Sequence, residues 1–231
     1  ITHEITPHCV SEASFLLERS YRFLPPGSVH VVIVDPGVGG SRRPIAVRAD
    51  KHFFVCPDNG LLTHVLAGVS EFEARLLENK DFLLVKISNS FHGRDMFAPV
   101  AAYISKGVPF EKFGPRIADP VMLPLDRPFT KQDCLIGTVV YIDHYGNLVT
   151  NIREQELSGF LQGSAGLVQI LKHQIPRVTS SYSATPVGEP LAIIGGFGML
   201  EIAVNCGNAQ QVLGASLNSE VVVSRSTDAT A

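Results

Sequence analysis

The segment 31–47 constrains the fold more than any other part of this chain. Four apolar residues, 31–34, lead directly into Asp35; a glycine-rich stretch then carries Arg42 before a second apolar run at 45–47. Apolar runs bounded by Gly and Pro predict two buried strands joined by a loop. Because glycine has no side chain, a substrate or a water molecule could approach this loop closely. The alternative is an ordinary tight turn that carries a surface ion pair.

Alternating helical and extended patterns predict an α/β layer in the first half of the chain. The first helix has Ser11 as its predicted N-cap and ends before Pro25. The predicted helices are 11–24, 61–67 and 96–105, and the predicted strands are 29–34, 45–47, 52–55 and 82–87.

The pattern changes after about residue 115. Prolines cluster there, which predicts a linker over 119–133 between an N-terminal α/β domain, 1–118, and a second domain, 134–223. Residues 224–231 are predicted to be a disordered tail. The second domain is predicted to be a small all-β, barrel-like domain with strands at 135–142, 165–171, 190–194, 199–204 and 220–223.

Composition excludes several classes of function. The net charge of −3 provides no broad basic surface, so neither nucleic acid nor an anionic membrane is expected as a partner. No apolar run approaches the length of a membrane span, so the positive mean hydropathy of +0.18 indicates a core plus a subunit interface. The four cysteines include no CxxC pair, which predicts reduced thiols in a cytoplasmic protein. The histidines include no HxH or HxxxH pair, so no metal is predicted.

Three polar clusters follow predicted strands in the first half. They are Asp35 with Arg42, the pair 58–59, and the group 92–95, which contains a histidine, an arginine and an aspartate. Ligands of α/β layers bind beyond the carboxyl ends of strands, so this repeated placement predicts a site. Each cluster alone also fits a turn, a hydrogen-bonded loop histidine or an ion pair.

A fourth cluster lies in the second half, over 141–152. Asn147 could bind a base edge, since an amide has both a donor and an acceptor, and Tyr145 could stack on a planar ring. The alternative is a β-turn with Gly146 at its bend.

Taken together, these segments resemble one family, the S-adenosylmethionine (SAM) hydroxide adenosyltransferases, which use water where their relatives add fluoride or chloride. The resemblance covers residues 1 to about 223, with the motifs in the same order and at similar spacing. The segments that carry it are ITHEI, VVIVDPGVGGSRRPIAV, PDNGLL, SFHGRDMFAPVAAYI, IDHYGNLVTNI and GEPLAIIGGFGMLEIAVN.

The resemblance implies an N-terminal α/β sandwich-like domain and a C-terminal β-barrel domain. It also implies a homotrimer in which substrate lies between one subunit's N-terminal domain and its neighbour's C-terminal domain. Asp35, Arg42 and His92 match the family's catalytic triad. The positions implied to bind substrate are Asp143, Tyr145, Asn147, Ala203, Phe91, Gly93, Phe197 and His8.

The chain also differs from its relatives in ways that carry expectations. The family has a strand and an acidic loop ahead of the position of Ile1, so we expect the N-terminal domain of this chain to lack its first strand and loop. Gly93 stands where the fluorinating enzyme has a serine for its halide, which favours water. Phe197 and Gly196 replace polar residues that face the amino-acid end of the substrate, and His8 replaces an aromatic residue near the ribose.

The resemblance therefore predicts hydrolysis of SAM to adenosine and methionine without a cofactor. Asp35 and His92 are expected to hold and partly deprotonate the attacking water, while Arg42 fixes Asp35. Arg43 is expected to be a structural or surface charge. Three alternatives stay open: a halogenating adenosyltransferase, a non-catalytic trimer that binds adenosine or SAM, and a metal hydrolase using Asp35, His92 and Asp95.

Overall fold

Two sheets organise the chain, one in each of the units Ile1–Pro124 and Leu125–Ala231. The computed structural model describes residues 1–226. The division between the units falls within 119–133, where proline clustering predicts a linker. Mixed α/β structure followed by a nearly closed, barrel-like sheet confirms the predicted fold class.

The first unit contains a five-stranded sheet with the strand order β1-β3-β2-β4-β5. Within this sheet β1 and β3 pair in parallel, and the other pairs are antiparallel. The elements are α1 (Val10–Tyr21), β1 (Val29–Val31), β2 (Pro44–Ala49), β3 (His52–Pro57), α2 (Thr63–Ala67), β4 (Phe72–Leu76), α3 (Ala98–Ser105) and β5 (Arg116–Ile117).

Helices cover both faces of this sheet. Side chains on neighbouring positions of a strand point to opposite faces, and β2 accordingly sends Ile45 to one core and Ala46 to the other. Leu17 of α1 and Val65 of α2 are in the first of these cores, whereas Val100 of α3 is in the second. The sheet is therefore buried on both sides, which explains the nearly continuous apolar runs of β2 and β3.

Several predictions for the first unit are wrong in detail. The strand predicted over 29–34 ends at Val31, and Val31 and Ile33 are 45% and 43% exposed rather than buried. Segment 82–87 is not a strand: Val85 is fully exposed, and a short 3₁₀ turn at Lys80–Phe82 is closed by Asn79, whose side chain accepts from the Asp81 backbone N–H. Ser11 is not the N-cap, because the turn at 6–9 already starts the helix at Val10.

The second unit has the strand order β10-β9-β14-β7-β8-β13-β12-β11, with β6 paired to β7. The two ends of this order, β10 and β11, are consecutive in the chain, which brings the sheet close to closure. The elements are β6 (Phe129–Lys131), β7 (Cys134–Ile142), β8 (Leu148–Arg153), α4 (Glu154–Leu161), β9 (Gly166–Ile170), β10 (His173–Ile175), β11 (Val178–Thr179), β12 (Pro190–Ile194), β13 (Met199–Val204), α5 (Ala209–Leu213) and β14 (Glu220–Arg225).

The prediction of an all-β second domain misses α4 and α5. Glu156 in α4 accepts a hydrogen bond from the backbone N–H of Arg153 at 2.8 Å, which stabilises the start of that helix. Leu157 and Leu213, one from each helix, join the core of the barrel. The last strand also continues through Ser224 and Arg225, two residues into the segment predicted to be a tail. Residues 227–231 of that predicted tail lie outside the described residues.

Candidate active site

Asp35 and Arg42 form a buried ion pair within the glycine-rich loop between β1 and β2. The Arg42 Nε donates to both carboxylate oxygens at 3.0 and 3.1 Å, and Nη2 donates to Oδ2 at 2.5 Å. Their side chains are 6% and 9% exposed, respectively, so this is not the surface pair of the alternative interpretation. A forked guanidinium–carboxylate pair of this kind fixes the orientation of both groups.

His92 joins this pair through Arg42. The Arg42 Nη2 lies 2.7 Å from His92 Nδ1. Because a guanidinium only donates hydrogen bonds, Nδ1 accepts, and a neutral His92 carries its proton on Nε2. Burial first, and then the Arg42 charge, lowers the pKa of His92, although Asp35 and Asp95 oppose this shift. Three side chains separated by up to 57 positions therefore meet at one guanidinium.

Close backbone packing brings the histidine segment to the loop. Gly39 has φ of +76°, and a Cβ built there would lie 2.2 Å from the carbonyl oxygen of Asn89, three residues before His92. A Cβ at Gly93 would lie 2.8 Å from Ile33 Cδ1, so a serine side chain would displace Ile33. The backbone contact leaves room only for hydrogen at position 39, whereas position 93 meets the flexible end of the Ile33 side chain.

Arg43 braces the same loop. Its Nε donates to Asp58 Oδ2 at 2.8 Å, and its Nη1 donates to Asp119 Oδ1 at 2.9 Å. The other Asp58 oxygen accepts from the backbone N–H of Val121, and Asn59 donates its amide to the carbonyl of Val34. These contacts join the neighbouring carboxyl ends of β1 and β3. Residues 58–59 therefore stabilise the loop instead of lying beside His92.

Asp95 is likewise engaged by the protein. It is 1% exposed and accepts from Arg94 Nε at 2.6 Å and from the backbone N–H of Ser88 at 2.7 Å. Within residues 1–226, no group of three or more His, Cys, Asp or Glu side chains is arranged to hold a metal ion. Phe91 is 59% exposed and lies under the Arg94 guanidinium, and His8 is exposed with φ of +69°.

In the second unit, the turn after β7 is built around Asp143. Its Oδ1 accepts from the backbone N–H groups of Tyr145 and Asn147, and its Oδ2 accepts from the Asn147 side-chain amide, all at 2.9 Å. Gly146 provides the positive φ of the bend, as the β-turn alternative requires. The turn holds Asn147 nearly buried and leaves Tyr145 72% exposed. Tyr145 is thus available to a planar ligand.

Strand pairing places further candidate residues on one face of the barrel sheet. Ala203 of β13 pairs with Leu191 of β12, and both are buried in a small cluster separate from the main barrel core. Glu201, two positions earlier, pairs with Val149 and shares this face. Phe197 follows β12 and meets the ring of Tyr141 edge-on at 6.1 Å.

Glu201 is a buried carboxylate that was not predicted from the sequence. It is 5% exposed, and its Oε1 accepts from the Tyr182 hydroxyl at 2.5 Å. Burial raises the pKa of Glu201; the Tyr182 hydrogen bond lowers it, and the Asp143 charge raises it. The available signal was the single charge within the apolar run 199–204, because a carboxylate is rarely buried without a specific partner.

The fold and these side chains define a two-domain α/β and β-barrel protein with a carboxylate–guanidinium–imidazole centre, and comparison with known proteins identifies the family. The chain matches the SAM hydroxide adenosyltransferase N-terminal domain over residues 1–114 and the C-terminal domain over residues 137–222. It belongs to the SAM hydroxide adenosyltransferase family.

Relatives of two kinds are found. The (R)-S-adenosyl-L-methionine hydrolase of Salinispora tropica is 33% identical over 93% of this chain and 81% of that protein. The fluorinase of an Actinoplanes species is 25% identical over 89% of this chain and 79% of that protein. An uncharacterised conserved protein of Thermotoga maritima has a similar structure, with a TM-score of 0.91 and 35% identity over 97% of this chain and 87% of that one.

Proposed function

We propose that this protein hydrolyses SAM to adenosine and L-methionine, as the names of its 33–34% identical relatives suggest. The observation that carries the proposal is the Asp35–Arg42–His92 centre, a buried ion pair in contact with a half-buried histidine, which has the groups needed to hold and polarise one water molecule. Under this proposal the substrate-binding roles of Asp143, Tyr145, Asn147 and Ala203 follow from the family motif.

The sulfonium of SAM makes methionine a good leaving group. The water oxygen forms a bond to ribose C5′ while the C5′–S bond breaks, its electron pair becomes a lone pair on the neutral thioether, and one proton is released. No general acid is required. The task of the protein is to orient the water in line with the C5′–S bond, for which well-placed groups contribute roughly 7–11 kcal/mol in favourable cases.

The hydrogen-bond geometry refines how the triad would act. With Nδ1 occupied by Arg42, a neutral His92 presents an Nε2–H donor to the water and does not take up its proton. Asp35 is then the acceptor of the water proton, and Arg42 stabilises the developing hydroxide. This differs from the expectation that His92 shares in the deprotonation.

The direct test is incubation with SAM, followed by separation of adenosine, methionine and 5′-halo-adenosines, with and without added chloride or fluoride. We expect adenosine and methionine from the parent and a loss on the order of 10²–10³-fold in kcat for Arg42→Ala and His92→Ala. Arg153→Ala, an exposed position, is the control. A variant that hydrolyses SAM as fast as the parent would contradict the assignment of its residue.

The other outcomes distinguish the alternatives. A 5′-halo product would show a halogenating enzyme, a result that Gly93 disfavours because a glycine lacks the hydroxyl of a halide-binding serine. Binding of SAM without turnover would show a non-catalytic protein. Because Asp95 is held by Arg94, we expect a chelator to leave activity unchanged; loss of activity would favour the metal hydrolase.

We further propose a homotrimer, supported by the family resemblance and by exposed apolar side chains such as Phe23 and Val85. Light scattering should give three times the 25.0 kDa chain mass. The four free cysteines support a reducing, cytoplasmic location, which cell fractionation would test. Among the described residues, no helix has the length and apolar character needed to cross a membrane.

A further inference from the structure

A π-turn carries the histidine segment into helix α3. The turn spans Gly93–Phe97, and the backbone N–H of Ala98 donates to the carbonyl oxygen of Gly93, five positions earlier. His92 stands directly before the turn, and Phe97 is its last residue. Single π-turns are rare in proteins and occur frequently at functional sites. The side chains that this turn places are therefore candidates for a role in the proposed reaction.

The turn brings two side chains, five positions apart in the sequence, to the same guanidinium. In a regular α-helix, residues five positions apart point about 140° away from each other. Here His92 Nδ1 lies 2.7 Å from Arg42 Nη2, and the centre of the Phe97 ring lies 5.4 Å from Arg42 Cζ. One segment thus supplies Arg42 with both a hydrogen-bond acceptor and an aromatic ring.

Phe97 offers Arg42 an attraction that its hydrogen bonds do not provide. Arg42 donates to Asp35 and His92 through Nε and Nη2, which lie in the plane of the guanidinium. The flat face of a guanidinium has no donor, and it packs favourably on an aromatic ring. Because Phe97 is fully buried, this contact is shielded from water, where the attraction between a cation and a ring is strongest.

We propose that Phe97 is a positioning residue that holds the Arg42 guanidinium over its ring, where the donors of Arg42 reach Asp35 and His92 together. The inference rests on the proposed function, in which these three side chains hold the attacking water. A fully buried ring does not touch the substrate, so Phe97 acts through Arg42. A weaker attraction should therefore slow the chemical step and leave the binding of SAM unchanged.

The experiment replaces Phe97 by a series of phenylalanines with one, two and three ring fluorines, introduced at this position alone. Fluorine withdraws negative charge from the face of the ring and changes its shape little, so packing is retained while the cation–π attraction declines. We expect kcat for SAM hydrolysis to fall with each added fluorine, on the order of tenfold over the series, with KM for SAM unchanged.

Phe113 is the matched control for this series. It is 1% exposed and lies in the same apolar core, but it packs on Phe82 and Phe110, and among residues 1–226 no cation lies over its ring. The same fluorinated residues at position 113 should leave kcat unchanged. A constant kcat across the series at position 97, or an equal decline at position 113, would overturn the proposal.

The pKa of His92 provides a second readout, which needs no turnover. Burial and the Arg42 charge lower this pKa, whereas Asp35 and Asp95 raise it. Without the ring, Arg42 should move away from His92, so Phe97→Leu should raise the pKa of His92 towards its value in Arg42→Ala, as measured by ring-proton NMR. In the Arg42→Ala background, the same substitution should cause no further shift.

An unchanged pKa of His92 in Phe97→Leu would refute the proposal. An equal rise in both backgrounds would also refute it, because the ring would then act on His92 directly and not through Arg42. If the parent itself makes no adenosine, the proposed function fails, and the pKa of His92 still decides whether Phe97 positions Arg42.

Discussion

Substitution of Gly39 by alanine should reduce catalysis, although the added methyl group contacts none of the proposed catalytic side chains. The added Cβ would lie 2.2 Å from the Asn89 carbonyl oxygen, whereas ordinary C···O contacts are about 3.3 Å, so the loop and the histidine segment must separate by about 1 Å. Misplacement by about 1 Å costs on the order of 10²-fold in rate. We therefore expect kcat for SAM hydrolysis to fall about a hundredfold in Gly39→Ala.

The backbone conformation adds a separate cost in stability. At φ of +76°, alanine loses about 1–2 kcal/mol relative to glycine, before any cost of the clash is added. Gly27→Ala is the matched control, since Gly27 has φ of +88° and nothing within 4 Å of its Cβ position. Gly27→Ala should show the conformational loss alone and keep the kcat of the parent.

Initial-rate assays of adenosine formation and urea unfolding of both variants measure the two effects. If folded Gly39→Ala retains the kcat of the parent within about threefold, the close approach of Gly39 to Asn89 does not set the geometry of the triad. If Gly27→Ala also loses a hundredfold in kcat, the loss in Gly39→Ala reflects backbone strain rather than displacement of His92. Either result would refute the reasoning.

Two further predictions concern histidines. Arg42→Ala should raise the pKa of His92, because the guanidinium charge that lowers it is removed. Ring-proton NMR, assigned with His92→Gln, measures this pKa, and an unchanged or lower value would contradict the close approach of Arg42 to His92. Burial and the neighbouring His52 lower the pKa of His30 to about 4, so the folded protein binds fewer protons than the unfolded chain between about pH 4 and 6.5 and loses stability as pH falls. The free energy of unfolding should drop by about 1.3 kcal/mol from His30 alone between about pH 7.5 and 5.5. Urea unfolding should show a smaller drop in the free energy of unfolding for His30→Gln than for the parent. His3→Gln, which alters an exposed histidine, should show the same drop as the parent. Equal drops in the parent and His30→Gln would exclude His30 as the source.

Local sequence was sufficient for most of the strands. The runs 190–194 and 199–204 are strands at the predicted residues, because apolar runs between glycine-rich turns leave little choice of structure. The same rule was wrong for 82–87, where the apolar residues find no neighbouring strand and Leu84 stays 46% exposed. Strand formation requires a hydrogen-bonding partner, and local sequence does not supply one.

The candidate site shows the same distinction. The spacing of Asp35 and Arg42 on one glycine-rich loop already indicated their pairing, since seven residues of flexible chain allow a forked contact. The contact of His92 with Arg42 joins side chains 50 positions apart, next to the close packing of Gly39 against Asn89, and no local pattern predicts either approach. Likewise, the sequence allows a structural role for Arg43, but only the structure shows its partners, Asp58 and Asp119.

The sequence by itself determined the fold class, the strand runs and the residue types of the site, because these follow from short-range patterns of apolar residues, glycine and proline. Tertiary structure alone decided which nitrogen of His92 accepts from Arg42 and why Gly39 must lack a side chain, since both depend on approaches between distant segments. It also decided the surroundings of Glu201, one charge in an apolar strand that pairing places beside Val149 and Ile193 and that accepts from the Tyr182 hydroxyl. Burial and charge balance are properties of the packed sheet face, and these properties exist only once the strands have paired.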